Sequence, residues 1–311
     1  MKTTPVTSAD LRASVIAVPP MPRHGDGRIN PEANGRLLAH LRAGRVTTFM
    51  YGGNANFYNL GAAELGRVLE TLAPLLAPGD WLIPSVGADF GKAAEQVAVL
   101  RERDFPTAMV LPLRFPASPA GVASGLGKLA SRYGKPVIAY VKDEGYIDNA
   151  DLAALVREGS VCAVKYAIVR RDTRDDAVLA DLVQRMGPDL LISGIGERPV
   201  IDHFRAFGLR AFTSGSTCVA PALSNAIREA LHAGDDAAAA AARELFIPLE
   251  DARDAYSPIR ILHAAVQLAG IAETGPIGEF LSVIGDEKVL GRLKPIALDL
   301  MARNEAALRR A

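Results

Sequence analysis

A lysine ends one of the most apolar segments of the chain, and its position allows covalent chemistry. Lys165 follows the run Val161–Val164, and the alternation of a strand puts Val161, Ala163 and Lys165 on one face. An amine in an apolar interior loses solvation, so its pKa falls and it becomes the neutral nucleophile that attacks a ketone. Lys165 is therefore a candidate Schiff-base lysine, although spacing alone equally allows a side chain that reaches solvent or pairs with a carboxylate.

A tyrosine at the end of the preceding apolar run can take part in the same chemistry. Tyr140 ends Val137–Tyr140, and its phenol can lie over the same cavity as Lys165. A phenol near an imine can carry protons between substrate and amine. The alternative is a tyrosine whose ring packs in the core and whose hydroxyl has a fixed partner. Lys165 and Tyr140 are the two predicted catalytic residues.

Three turns that follow apolar runs carry small and polar residues suited to substrate binding. In the turn after the second run, glycines let the backbone approach a ligand, and asparagines add side-chain donors. The turns after the seventh and eighth runs can contact hydroxyl groups or a carboxylate. For the glycine segment, a tight turn without a ligand is an equal alternative. The predicted substrate-binding residues are Gly52, Gly53, Asn54, Ala55, Asn56, Gly194, Ile195 and Ser214.

The sequence predicts no metal and no organic cofactor. The five histidines show no spacing typical of metal ligands, and the segment Gly194–Gly196 lacks the third glycine of a dinucleotide fingerprint. There is no phosphate-binding loop of the Walker type and no G-x-S-x-G segment of a hydrolase. The histidines are His24, His40, His203, His232 and His263.

Short apolar runs alternate with segments of helical periodicity, which is typical of parallel βα units. Eight such units predict a (β/α)8 TIM barrel of the α/β class over residues 1–232, with an open doubly wound sheet as the alternative. The predicted strands are Ser14–Val18, Thr47–Tyr51, Trp81–Ser85, Thr107–Leu111, Val137–Tyr140, Val161–Tyr166, Leu190–Ser193 and Ala211–Ser214. The predicted helices between them include Glu64–Leu76, Gly91–Arg103, Gly121–Tyr133, Asn149–Val156, Asp175–Met186 and Pro199–Phe207.

The strand signal ends after Ser214, and helical patterns follow. They predict a C-terminal helical appendage over residues 233–311, in which Ser257-Pro258 is a good helix start. The predicted helices of this part of the chain are Pro221–His232, Asp235–Ala255, Pro258–Leu268 and Leu290–Arg310.

Composition excludes several classes of partner and compartment. Lys plus Arg and Asp plus Glu number 35 each among 311 residues, so net charge favours neither nucleic acid nor an anionic membrane. A small-molecule substrate is expected. Cys162 and Cys218 lie far apart and form no CxxC pair, which indicates a reducing, cytoplasmic location. The apolar run Ala13–Pro20 is too short for a signal sequence, and no segment is long enough to span a membrane.

Several segments together resemble the dihydrodipicolinate synthase and N-acetylneuraminate lyase family. Gly52–Leu60 is similar to the family's glycine loop, which reads G-G-T-G-E-F-F-S-L in its sugar-acid dehydratases. Ala139-Tyr140 resembles the site of the proton-relaying tyrosine, and Ala163–Lys165 the strand that carries the Schiff base. Ser193-Gly194 and the run 208–221 match later strands. The resemblance implies a cofactor-independent lyase for a 2-oxo acid, pyruvate-type or sugar-derived, assembled as a homotetramer or dimer.

Departures from the family pattern leave the substrate open. Asn54-Ala55 replaces a threonine pair that helps to bind the substrate carboxylate, and Asn56 replaces the glutamate. The segment Pro112–Pro116 lacks the tyrosine that the synthase shares between subunits, and Val141–Tyr146 lacks the arginine that binds its aldehyde. The synthase proper, in lysine biosynthesis, is therefore a weak alternative. Cations that can hold a second acidic group, or simply lie in solvent, are Arg114, Lys142, Arg170 and Arg171.

Two other hypotheses stay open, and the same departures motivate the first of them. One is a catalytically inactive member of the family that binds a small-molecule ligand as a sensor or transport accessory. The other is a barrel lyase in which the lysine acts only through its charge. A substitution of Lys165 by Arg separates the latter from an imine-forming enzyme, because the charge is kept but the imine cannot form.

Overall fold

In the computed structural model, residues 1–310 are described, and over this range eight parallel strands close into a barrel in the order β1 to β8. The barrel closes because β1 pairs with β8, through Ile16 with Thr213 and Ala17 with Ser214. The strands are β1 Ile16–Ala17, β2 Thr48–Tyr51, β3 Trp81–Val86, β4 Met109–Val110, β5 Val137–Val141, β6 Val161–Tyr166, β7 Leu191–Ser193 and β8 Ala211–Ser214. The predicted TIM barrel is confirmed, and each predicted run coincides with one strand, although β3 and β5 each extend one residue further.

Helices follow the strands and cover the outside of the barrel, so the strands are buried on both faces. Typical caps start many of them, such as Asn30 before α2 and Asp176 before α7. In chain order the first nine helices are α1 Ser8–Leu11, α2 Pro31–Ala43, α3 Ala62–Leu72, α4 Phe90–Arg101, α5 Pro119–Tyr133, α6 Asn149–Arg157, α7 Ala177–Met186, α8 Val200–Phe207 and α9 Pro221–Ala233.

Helix α2 was absent from the predicted set, although Pro31 at its start and the buried Leu37, Leu38 and Leu41 fit the helical pattern. The strand of the first βα unit is also short, since only Ile16–Ala17 pairs on both sides. The first unit thus combines a helix that was not predicted with a strand of two residues.

After α9 the described chain contains four helices and the irregular segment 269–286, and no strand. The helices are α10 Asp236–Glu244, α11 Ile247–Ala255, α12 Pro258–Leu268 and α13 Glu287–Leu308. The prediction of one helix over Asp235–Ala255 is wrong, because the chain breaks at Leu245-Phe246. Pro248 lies in the first turn of α11, and a proline further inside a helix would lose a hydrogen bond and clash with the preceding turn.

The C-terminal helices return to the barrel mouth. Helix α12 packs against the short 3-10 turn Gly53–Ala55, which follows β2, and α13 packs against α9, α11 and α12. The division at residues 232 and 233 stays a prediction. None of the helices within residues 1–310 combines the length and apolar character required to cross a membrane.

Candidate active site

Lys165 lies at the carboxyl end of β6 with its side chain inside the barrel. It is 5% exposed, and it lines a cavity of about 320 Å³ at the barrel mouth. The next residue faces the opposite way, because the Tyr166 hydroxyl donates to Oδ2 of Asp176 at the start of α7, at 2.6 Å. The strand alternation therefore puts Lys165 where the sequence predicted it, on the inner face.

The surroundings of Lys165 favour a neutral amine. Burial lowers the pKa of Lys165 to about 7, and the charges of Lys142 and Arg253 act in the same direction. Within the described chain, no carboxylate offsets this lowering of the pKa. A large fraction of the amine is therefore uncharged at neutral pH, in the form that can bond to a ketone.

Tyr140 is the partner of Lys165 in the sheet. The two residues are in register between β5 and β6, so their side chains point to the same side. Nζ of Lys165 lies 4.3 Å from the centroid of the Tyr140 ring. Burial raises the pKa of Tyr140 to about 12, and Asp143 contributes further. The phenol therefore keeps its proton near neutral pH and can donate it to an oxygen atom formed beside the amine.

Gly194 makes room for the Lys165 side chain. A Cβ at this position would lie 3.0 Å from Cγ of Lys165, 2.9 Å from Cβ of Ala167 and 2.6 Å from the carbonyl oxygen of Tyr166. The backbone of Gly194 is fixed by its N–H, which donates to that same oxygen at 2.7 Å. Only glycine fits between β6 and β7 without moving the lysine.

The glycine turn after β2 contributes part of its predicted residues to the cavity. Gly53 and Asn54 line it, and as the first residues of the 3-10 turn they have N–H groups without acceptors inside the turn. The amide Nδ2 of Asn54 donates to the carbonyl oxygen of Val18 at 2.7 Å. The turn thus offers two backbone donors to a substrate carboxylate.

The other predicted residues of this turn do not line the cavity. Gly52 lies below it, where a Cβ would be 3.0 Å from both Met109 Cε and Ser85 Oγ. Asn56 adopts a left-handed conformation with φ of 58°, and its Nδ2 donates to the carbonyl oxygen of Glu279 at 3.0 Å. Ala55 is buried in the core. These three residues shape the turn and connect it to the C-terminal segment.

Near β7 and β8 the structure separates neighbouring predicted residues. Ile195 lines the cavity together with Gly194. Ser214 does not line it, because its Oγ accepts from the backbone N–H of Thr217 at 2.9 Å. Thr213, one residue earlier and on the opposite face of β8, lines the cavity instead. The sequence pattern identified the right strand end but the wrong side of the strand.

Arg253, a cation that α11 places in the cavity, was not among the residues predicted from the sequence. The side chain of Arg253 is 11% exposed, and Nη1 lies 2.8 Å from Oε1 of the buried Glu250. Gly215 forms the surface beneath it, since a Cβ there would lie 2.8 Å from Nη2 of Arg253. Burial by itself would lower the pKa of Arg253, but Glu250 raises it above its ordinary value. Arg253 is thus a fixed positive charge near Lys165.

A buried polar cluster supports Glu250 from behind. Ser216 Oγ donates to the same oxygen of Glu250 that Arg253 binds. Ser224 Oγ donates to Oε1 of Glu197 at 2.6 Å, and Glu197 is fully buried. Burial raises the pKa of Glu197 to about 7, and the neighbouring Glu250 raises it further. The cluster therefore favours a protonated Glu197 behind the ion pair of Glu250 and Arg253.

Of the four predicted rim cations, only Lys142 lines the cavity. Arg114 is 79% exposed and pairs with Asp143. Arg170 pairs with Glu144 and Asp176. Arg171 lies at a separate surface depression beside Asp202. Lys142 and Arg253 are therefore the cations that can reach a ligand bound at Lys165.

Tyr58 is a second cavity residue that the sequence analysis passed over. It lies in the 3-10 turn Phe57–Asn59 and lines the cavity with Lys165 and Tyr140. The only signal was its place in the segment that resembles the family's glycine loop. In residues 1–310 no group of three or more histidine, cysteine or acidic side chains is arranged to hold a metal ion.

Comparison with known proteins gives both a sequence relative and structural neighbours. No family model matches the chain. A probable 5-dehydro-4-deoxyglucarate dehydratase of Streptomyces coelicolor is 24% identical over 275 residues, which cover 86% of this chain and 83% of that protein. The similarity thus extends over most of both chains.

Two solved structures have the same fold at low sequence identity. Dihydrodipicolinate synthase from Oceanobacillus iheyensis superposes with a TM-score of 0.82 at 19% identity, over 94% of this chain and 97% of that one. N-acetylneuraminate lyase from Mycoplasma synoviae gives a TM-score of 0.78 at 16% identity, over 94% and 99%. The chain therefore shares its fold with dihydrodipicolinate synthases and N-acetylneuraminate lyase, and its sequence is similar to that of a dehydratase.

Proposed function

We propose that the chain is a class I lyase that forms a Schiff base between Lys165 and a 2-oxo acid. The observation that carries this proposal is a buried amine without a carboxylate partner, in contact with the Tyr140 ring and open to a cavity of about 320 Å³. A cavity of this size is in the range typical of small-molecule sites. The similarity to a probable dehydratase and the fold shared with a lyase support an enzyme of the lyase and dehydratase type.

The neutral amine of Lys165 adds to the ketone carbon, and the resulting hydroxyl group takes a proton from Tyr140 and leaves as water. The C=N bond to Nζ then withdraws electrons, so the adjacent carbon loses a proton and an enamine forms. In a dehydration, the enamine expels a protonated hydroxyl group from the next carbon as water. Addition of water to the imine finally releases the product ketone and the amine.

Among the reactions open to such an intermediate, we favour dehydration of a sugar-derived 2-oxo acid with a second carboxylate. The sequence relative is named for a glucarate-derived acid, which has a carboxylate at each end. The backbone donors of Gly53 and Asn54 can bind the carboxylate next to the ketone. Arg253 and Lys142 supply positive charge for the second one, and an arginine fork suits a carboxylate well.

Borohydride reduction in the presence of 2-oxo acids tests the proposal. The panel contains pyruvate, 2-oxoglutarate and sugar-derived 2-oxo diacids, and mass spectrometry locates the reduced adduct. We expect an adduct on Lys165 and none in Lys165→Arg, which keeps the charge but cannot form the imine. Absence of an adduct with every acid, while the folded protein still binds one of them, would instead identify a non-catalytic ligand-binding protein.

A further inference from the structure

We propose that Glu250 and Arg253 together bind an α-hydroxy carboxylate, the group in which a hydroxyl lies on the carbon next to a carboxylate. The inference rests on the proposed Schiff-base function and narrows its substrate class. The expected substrates are 2-oxo diacids that have a hydroxyl group beside the carboxylate far from the ketone.

The ion pair of Glu250 and Arg253 uses one oxygen of the carboxylate and one terminal nitrogen of the guanidinium. Nη1 of Arg253 donates to Oε1 of Glu250 at 2.8 Å, and the hydroxyl of Ser216 contacts the same two atoms. Nε of Arg253 donates to the carbonyl oxygen of Pro258 at 3.3 Å. Among residues 1–310, Nη2 of Arg253 and Oε2 of Glu250 have no hydrogen-bond partner, and neither atom is fully enclosed by protein. One donor and one acceptor therefore stay available to a ligand.

Two glycines leave space beside these two atoms. A Cβ on Gly196 would lie 3.2 Å from Oε2 of Glu250, and a Cβ on Gly215 would lie 2.8 Å from Nη2 of Arg253. Both glycines line the cavity together with the ion pair and Lys165. Gly196 has a φ of 78°, a left-handed conformation that favours glycine. The available donor and acceptor thus border the cavity in which the substrate would bind.

The chemistry of the two atoms matches the two groups of an α-hydroxy acid. Nη2 of Arg253 can donate to a ligand carboxylate in a charge-assisted hydrogen bond. Oε2 of an ionised Glu250 can only accept, so it requires a donor such as a hydroxyl group. An α-hydroxy acid presents both groups on neighbouring carbons, so one end of a ligand can bind both residues.

Glu250 also selects against diacids that lack this hydroxyl group. Its negative charge offsets that of Arg253 and repels a carboxylate that approaches Oε2 without a donor. The hydroxyl group removes this conflict because it donates to Oε2. A site that leaves a buried acceptor without its donor discriminates strongly against the ligand that lacks the donor.

Titration calorimetry on the unaltered protein with two matched acids tests this inference. The probes are 2-oxoadipate, which has no hydroxyl group, and 5-hydroxy-2-oxoadipate, which has one beside the far carboxylate. Neither probe has a hydroxyl group on the carbon from which water would leave. We expect one enantiomer of the hydroxylated acid to bind at least about 10-fold more tightly than 2-oxoadipate, because the charged acceptor and donor have fixed positions. Equal Kd values for 2-oxoadipate and both enantiomers, or no binding of any of them, would overturn the inference.

Glu250→Gln shows whether the preference comes from this carboxylate. The amide oxygen can replace Oε1 toward Arg253 and Ser216, so an NH2 group instead of an acceptor faces the cavity. We expect the preference for the hydroxylated acid to fall to about 2-fold or less, because the charged acceptor is lost. Glu70→Gln is the matched control, because Glu70 pairs with Arg103 and neither residue lines the cavity; it should keep the preference of the parent. A full preference in folded Glu250→Gln would overturn the role of Glu250, and the comparison of acids on the unaltered protein decides if this variant does not fold.

Borohydride trapping with pyruvate separates this inference from the proposed function. Calorimetry measures binding whether or not an imine forms. A preference for the hydroxylated acid without a pyruvate adduct on Lys165 would therefore overturn the Schiff-base proposal alone. An adduct on Lys165 together with equal Kd values for the acids would overturn the α-hydroxy carboxylate site alone.

Discussion

The cavity contains two buried basic side chains whose pKa values shift in opposite directions: Lys165 on the β5–β6 side and Arg253 on the α11 side. Lys165 has no carboxylate partner, so burial lowers its pKa to about 7. Arg253 is almost as buried, but Glu250 at 2.8 Å from Nη1 raises its pKa. Burial alone therefore does not decide the charge of a group; the partner does. One cavity can contain both an uncharged nucleophile and a fixed positive charge.

Gly194→Ala should have the largest effect of these substitutions, because it displaces Lys165 on the β5–β6 side of the cavity. The new Cβ would lie 3.0 Å from Cγ of Lys165 and closer still to backbone, so the lysine must move. We expect the rate of borohydride trapping with pyruvate to fall about 100-fold, as for a misplacement of roughly 1 Å. Gly285→Ala is the control, because a Cβ there meets nothing within 4 Å. A trapping rate like that of the parent would show that Gly194 does not hold Lys165 in place.

Arg253→Gln should weaken the binding of a second carboxylate on the α11 side of the cavity and preserve imine formation at Lys165. Loss of a charged donor costs about 1.5 to 3 kcal/mol, so we expect KM for 2-oxo diacids to rise at least 10-fold in steady-state assays. Arg253 also contributes to lowering the pKa of Lys165, so trapping with pyruvate is compared at about pH 9, above that pKa, where it should change little because pyruvate has no second carboxylate. Equal losses for pyruvate and diacids would argue against a role in binding the second carboxylate.

Two further variants separate binding from folding in that experiment. Arg253→Gln combined with Glu250→Gln removes the carboxylate that would otherwise stay buried without a partner, and it should show the same preference for pyruvate. Arg303→Gln removes an arginine of α13 that pairs with Asp299, and neither residue lines the cavity; its KM values should match the parent.

Lys142→Met should shift the pH dependence on the β5–β6 side. The amine is the nucleophile only when deprotonated, so trapping should increase as pH rises through a pKa near 7. Lys142 contributes to lowering that pKa, and its removal should move the profile to higher pH by about half a unit. Lys128→Met removes an exposed lysine at another cavity and should leave the profile in place. A shift to lower pH would contradict the proposed electrostatics.

Glu197→Gln should have the smallest effect. It changes the thermal stability of the folded protein through the polar cluster behind Arg253. The pKa of Glu197 is raised from 4.5 to about 7, so the folded state favours its protonated form. That contribution to stability is complete below pH 4.5 and is lost as pH rises through about 7. The amide cannot ionise, so at pH 8 we expect Tm of Glu197→Gln to exceed that of the parent by about 1 to 3 °C. The difference in Tm should vanish at pH 5, and calorimetry at pH 5 and pH 8 checks it. An equal gain in Tm at both pH values would show that the stabilisation comes from packing and not from the ionisation of Glu197.

The positions of Lys165 and Tyr140 on the β5–β6 side could be predicted from the sequence, because the strand pattern determines which side chains point into the barrel. The apolar runs around Lys165 and Tyr140 fix which faces point inward, and the parallel order brings their ends together. The same logic located Gly194 and Ile195 after β7. It failed at Ser214, where a shift of one residue exchanges the inner and outer faces and Thr213 lines the cavity.

The α11 side was not predictable by the same means. Glu250 and Arg253 are three residues apart on a helix, a spacing that equally describes a solvated ion pair. Their burial depends on how the helices after β8 return over the mouth, which is a long-range contact without a local pattern. Tyr58 follows a glycine turn whose shape depends on Asn56 and on the carbonyl of Glu279, far along the chain.

The break between α10 and α11 determines where new specificity can arise. Pro248 starts a fresh helix, and the direction of that helix aims Arg253 at the ligand from outside the barrel. Substitutions at the break between α10 and α11 would change the position of the Arg253 charge without disturbing the strands around Lys165. Under the proposed function, the imine forms at β6 while the second carboxylate depends in part on α11, so a redesign aimed at another acid should begin at residues 245–254 and leave β5 and β6 unchanged.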